Sequence, residues 1–127
     1  MIDRKQFNDV FQYFDKEIIV EIIDMFISEH DERFRKMKKN LADNDFTGFQ
    51  FNSHSIKGVI ANFWDPVTVE QSTRLDNIAK IAKEQWINFD KIAKMEIEAE
   101  IEKALGNLEL SSALLLAELM KIKKEFT

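Results

Sequence analysis

Ser53-His54-Ser55-Ile56-Lys57-Gly58-Val59-Ile60-Ala61-Asn62-Phe63 is the stretch on which the reading of this chain turns. Phe49, Ser53, Ile56, Ile60 and Phe63 recur at helical spacing and form one mostly apolar stripe. His54, Lys57, Gly58 and Ala61 stand at i, i+3, i+4 and i+7 and form a second stripe without a bulky apolar member. The spacing predicts a helix with a core face and a chemical face, and the histidine belongs to the chemical one.

Outward from that helix, aspartates mark the starts of others. Asp3 and Gln6 have the spacing of a capping box, and Ile2 and Phe7 that of a hydrophobic staple, so a short first helix carries Phe7, Val10, Phe11 and Phe14. Asp15 is placed to cap a long second helix over residues 16–42. In it Ile19, Ile23, Phe26, His30, Phe34, Met37 and Leu41 repeat near every 3.5 residues, as bundle packing requires. Ile18, Ile22 and Met25 are expected to widen its buried face. His30, on the apolar stripe, is expected to be a packed residue with one hydrogen bond rather than a ligand.

Asp45 or Asn44 can cap the third helix, expected over residues 46–63. Asp65 then caps a fourth, with Pro66 at its first position, where the missing N–H costs nothing, and Trp64 and Val69 as staple; it runs to about Gln85. Beyond Trp86 two helices are expected. One is capped by Asn88 and stapled by Ile87 and Ile92, and Gly106-Asn107 could end it or merely interrupt it, the former being preferred; the other covers residues 111–126 with Leu114, Leu115, Leu119 and Ile122 apolar.

Composition sets the outer bounds. A chain of 127 residues suits one domain, 1–127, with a core that needs no staples. There is no cysteine, which excludes disulfides, thiolate metal sites and a cysteine nucleophile. The net charge of −5 has the wrong sign for binding nucleic acid. The longest apolar run, residues 113–117, is too short to span a bilayer, and the first residues lack the apolar run of a signal peptide. No membrane association and a cytoplasmic location are therefore expected. Three glycines and one proline leave little room for tight turns, so the chain reads as all-α.

The chemistry of the histidine face narrows the function. A solvent-facing imidazole is a nucleophile near neutral pH. Lys57, one turn on, offers a mobile positive charge suited to a phosphoryl group. Gly58 and Ala61 remove bulk, so another protein can approach closely. Together these favour accepting a phosphoryl group from a docked protein over unaided catalysis. A phosphate loop, a nucleotide signature and a Ser/His/Asp arrangement are all missing, and no Glu-x-x-His pair supports a metal site.

The pattern His54, Lys57, Gly58 resembles the signature of histidine-containing phosphotransfer (Hpt) domains, with Ser55, Ile56, Ala61 and Asn62 fitting in type. The long helix upstream and Asp45-Phe46 opening the histidine helix extend the likeness over residues 16–83. The chain departs from the family at Val59 and Ile60, where glycine or serine is usual, and at Trp64, where glycine is usual. The resemblance implies an antiparallel up-and-down four-helix bundle with a short accessory N-terminal helix. It implies that His54 takes a phosphoryl group from an aspartyl phosphate on a response-regulator receiver domain and passes it to another. Partners would be such receivers or a hybrid sensor histidine kinase. The receiver would bring the Mg²⁺, so no cofactor of the chain's own is expected, and the chain would be a phosphocarrier rather than an autonomous enzyme. Lys57 would steady the phosphate and Gly58 would permit docking.

Spacing adds Gln50 as a second phosphate-stabilising residue, one turn before His54, and puts Ala61 and Phe51 on the docking face. Phe51 is equally readable as packing under the first helix; Phe11 and Ile22 read as core. A monomer is expected. The competing reading is an Hpt-like helical adaptor that binds a receiver or kinase without transfer. A kinase phosphoacceptor domain has a similar motif, but no ATP-binding signature accompanies it here.

Overall fold

The computed structural model describes residues 1–127 and is all-helical. Five α-helices follow one another: α1 (Arg4–Phe11), α2 (Lys16–Ala42), α3 (Phe46–Ile60), α4 (Pro66–Gln85) and α5 (Lys91–Lys123), with short 3₁₀ turns after the last three. α3 packs on α2 and α4, and α5 packs on the same two helices from the other side. A single core of 24 buried apolar residues runs between them. No helix is long and apolar enough to cross a membrane.

The aspartate starts hold. Asp3, Asp45 and Asp65 accept hydrogen bonds from the backbone N–H groups of Gln6, Gly48 and Thr68, each cap contributing about 1 kcal/mol. Asp15 occupies the cap position of α2 but makes no side-chain cap bond. The reciprocal half of the capping box at Asp3 is not formed, because its backbone N–H donates to the carbonyl of Trp64 at 2.7 Å instead. That bond ties α1 to the turn between α3 and α4. At the far end Arg4 meets Glu125 through two guanidinium N–H bonds of 2.9 and 2.8 Å.

The α2 stripe from Ile19 to Met37 is buried throughout, with Leu41 packed at its edge. The neighbouring ridge does not widen that face as expected: Ile18 and Met25 are exposed and Ile22 is half-buried. Four helices around one core leave each only a limited arc to bury. His30 is buried between Phe26 and Phe34. It uses both ring nitrogens, with Nδ1 3.0 Å from Asp31 Oδ1 and Nε2 2.9 Å from Ser112 Oγ, which joins α2 to α5.

The region after Trp86 differs most from expectation. A 3₁₀ turn, Trp86–Asn88, is followed by one 33-residue helix, and the cap is Asp90, whose side chain accepts from the N–H of Ala93 at 2.7 Å, not Asn88. Ile87 and Ile92 are solvent-exposed and form no staple. Gly106 lies inside the helix. An interior glycine costs only about 1 kcal/mol, whereas Ile97, Ile101, Ala104, Leu108, Ser112, Leu115, Leu119 and Ile122 stay buried in one unbroken helical phase on both sides of it. A break there would throw half of that stripe out of register. Of the apolar positions named in the last segment, Leu115, Leu119 and Ile122 are buried and Leu114 is exposed.

Candidate functional site

α3 is held in rotation by both of its neighbours. Phe49, Ser53, Ile56, Ile60 and Phe63 are all fully buried, as the stripe predicts, and burying one such large apolar side chain is worth roughly 1.5–3 kcal/mol. Toward α2, Arg33 Nη1 donates to Ser55 Oγ at 3.1 Å while its Nη2 bonds Glu29 at 2.8 Å, and Asn52 Nδ2 donates to Asn40 Oδ1 at 2.8 Å. With Ser55 turned to α2, His54 is turned to α4.

There it meets a residue that the sequence reading passed over. Asp76 on α4 is buried, and its Oδ2 lies 3.1 Å from His54 Nδ1 and 3.9 Å from Lys57 Nζ. Its Oδ1 lies 3.0 Å from Ser53 Oγ and accepts from Gln50 Nε2 at 3.4 Å. A buried carboxylate is costly unless such partners surround it, and four side chains of α3 converge on this one. A carboxylate oxygen only accepts, so the proton of the ring stands on Nδ1 and the lone pair on Nε2. The His54 side chain is 70% exposed, which opens Nε2 to an approaching electrophile.

The other residues singled out by spacing fall as follows. Lys57 is partly exposed beside the ring, and Gly58 and Ala61 are exposed on the same side. A Cβ added at Gly58 would meet nothing within 4 Å, so the fold itself does not require glycine there. Gln50 is half-buried, and its amide engages Asp76 rather than the imidazole. Phe51 is 72% exposed, which removes the reading that it packs under α1, while Phe11 is core and Ile22 half-buried. Val59 leans against the core and leaves the ring open. Trp64 adopts a left-handed backbone, φ 60°, at the first residue past the 3₁₀ turn that ends the histidine helix. Glycine adopts that conformation without cost, which accounts for the family's usual residue at this point; Trp64 lines a surface cleft together with Ala61, Pro66 and Val69.

The bundle thus presents an exposed histidine on one outer face, backed by a buried carboxylate. The family model described as the Hpt domain matches residues 21–115, most of the chain and all of α3 and α4. The chain belongs to the Hpt domain family, and Hpt domains are phosphotransfer modules of two-component signalling that interact with receiver domains and kinases. No curated protein and no solved structure matches it.

Proposed function

We propose that the chain is a histidine phosphotransfer protein of a phosphorelay, a single domain over residues 1–127 with α2 to α5 arranged up and down, working in the cytoplasm. In the reaction, the Nε2 lone pair of His54 attacks the phosphorus of an aspartyl phosphate on a receiver domain. The N–P bond forms as the P–O bond to the receiver breaks, and the electron pair leaves on the receiver's carboxylate. The ring becomes cationic, and its Nδ1–H faces Asp76, whose negative charge stabilises it. Attack by a second receiver's aspartate reverses these steps and hands the group on. Lys57 pairs with the phosphoryl oxygens. Gln50 steadies Asp76 with one N–H and has a second for a phosphoryl oxygen. Gly58, Ala61 and Phe51 form the rim on which the receiver sits. The receiver brings the Mg²⁺; the chain's own part is to orient the nucleophile.

The observation that carries this reading is the 3.1 Å contact between His54 Nδ1 and the buried Asp76. It also weighs against the adaptor reading, because a surface used only for docking gains nothing from a carboxylate held beneath an exposed ring. The test is transfer from a receiver charged with a small-molecule phosphodonor. An acid-labile label should appear on the wild-type chain and be absent from His54→Gln. A label that persists in His54→Gln removes the assignment, and no label with several receivers favours the adaptor.

A further inference from the structure

The inner face of α5 packs on α2 and α4, but its outer face is also apolar. Ile92, Met95, Leu110, Leu114 and Met120 are 68, 62, 67, 67 and 51% exposed. These residues are not scattered. Ile92, Ala99, Gly106, Ala113 and Met120 recur at every seventh residue; at the alternate positions of this 3.5-residue seam the second half carries Leu110 and Ala117, and the first half carries Glu96 and Lys103. Every member of that line lies on the solvent side of the helix, opposite the buried stripe of Ile101, Leu108, Leu115 and Leu119.

We propose that this face pairs with the same face of a second copy, α5 against α5 in antiparallel orientation. Charge selects both the partner and the direction. Glu96 and Glu100 border the first half of the seam, and Lys121 and Lys124 border the second. None of the four makes an ion pair within its own chain. An antiparallel pair sets the acidic half of each helix beside the basic half of the other; a parallel pair sets like against like. Side-chain size agrees with the same alignment. With the two-fold axis crossing near position 108, Gly106 faces Leu110 of the partner subunit and Ala99 faces Ala117 of the partner subunit, while Ala113 lies against the stem of Lys103 of the partner subunit and Met120 against that of Glu96 of the partner subunit.

Gly106 fits this arrangement for a further reason. A Cβ there would meet nothing within 4 Å, so nothing inside the chain calls for glycine in the middle of a 33-residue helix. Small residues at alternate seam positions let two helix axes approach to about 8 Å. The face is about 50 Å long. The pairing departs from the monomer expected from composition. It leaves His54 open on both copies, because α3 and α5 pack on opposite sides of α2 and α4, and it does not depend on phosphotransfer.

Sedimentation equilibrium of the full chain tests the proposal. A reversible dimer should form between about 1 and 200 μM. Leu110→Glu combined with Leu114→Glu should weaken it by at least about thirtyfold while leaving the helical circular dichroism and His54 labelling unchanged, since both side chains are already exposed. A wild-type chain that stays monomeric at the upper concentration overturns the proposal, as does a dimer indifferent to the double variant. Direction is read by cross-linking, because the chain has no cysteine of its own. When Ala99→Cys and Ala117→Cys chains are mixed and oxidised, disulfides should link the two species; preferential Ala99→Cys self-linking overturns the antiparallel arrangement.

Discussion

Two glycines sit inside continuous helices on opposite sides of this bundle, Gly58 in α3 and Gly106 in α5. Each has open space where a Cβ would stand and neither has a positive φ, so each gives up about 1 kcal/mol of helix stability with no return inside the chain. Their neighbours differ. Beside Gly58 are His54 and Lys57, with Asp76 and its hydrogen-bond partners beneath. Beside Gly106 are exposed Leu110 and Leu114, with unpaired acids toward one end and unpaired lysines toward the other. The first face is polar and suits a partner that arrives, reacts and leaves. The second is apolar and self-complementary in charge, and suits a partner that stays. The difference shows that a glycine unexplained by its own fold reports on what comes from outside, and that its neighbours say what kind of partner that is.

The sharpest way to break the contrast is Asp76→Asn. Loss of a charge-assisted hydrogen bond to the ring is worth about 1.5–3 kcal/mol, so the rate of labelling at His54 should fall by roughly ten- to a hundredfold. Association through α5 should not change. A labelling rate equal to wild type would remove Asp76 from the mechanism. Lys57→Ala should have a smaller effect, a several-fold loss of transfer rate or of phosphohistidine lifetime, with thermal unfolding unaltered, because the side chain is partly exposed. Unfolding of that variant would contradict the placement of this face.

The two glycines can then be exchanged for better helix formers. Gly58→Ala and Gly106→Leu should each raise the urea midpoint by the equivalent of about 0.5–1 kcal/mol. Gly58→Ala should slow transfer only, and Gly106→Leu should weaken association only. Either substitution impairing the other process would erase the distinction between the faces.

The smallest expected effect lies away from both. The hydrogen bond and charge of Arg4 hold the Glu125 carboxyl below the usual carboxylate range. A carboxylate lowered in the folded state stabilises above its unfolded pKa, and that contribution disappears as the pH drops through the folded value. Glu125→Gln should therefore cost a fraction of 1 kcal/mol at pH 7, as exposed pairs do, and less near pH 3. The check is the difference in urea midpoints at the two pH values.

Much of the fold was legible because its signals are local. Asp3, Asp45 and Asp65 each cap from within three residues of their targets, and the α2 and α3 stripes are periodic over their whole length. The continuous α5 was less so, since Gly106-Asn107 has the look of a helix end. The phase of Ile101, Leu108, Leu115 and Leu119 across it was the stronger signal. His54, Lys57 and Gly58 were legible as one helix face. Asp76 was not, because its contacts with Ser53 and His54 join residues more than twenty positions apart. A trace of it was present: Ser53 and Asp76 are polar residues on the core stripes of two different helices, and buried polar groups must find partners. The outer face of α5 was hidden because Leu114 stands within a run of leucines, where nothing local separates the buried Leu115 from its exposed neighbour.

The central claim is that Asp76 holds the proton of His54 on Nδ1 and leaves Nε2 as the nucleophile. ¹⁵N and ³¹P NMR of the ¹⁵N-histidine-labelled chain, before and after phosphorylation by a charged receiver, tests it directly. The account predicts an Nδ1–H tautomer in the free chain and a phosphorus–nitrogen coupling to Nε2 of His54 afterwards. Phosphorus on Nδ1, or an Nε2–H tautomer in the free chain, would contradict it.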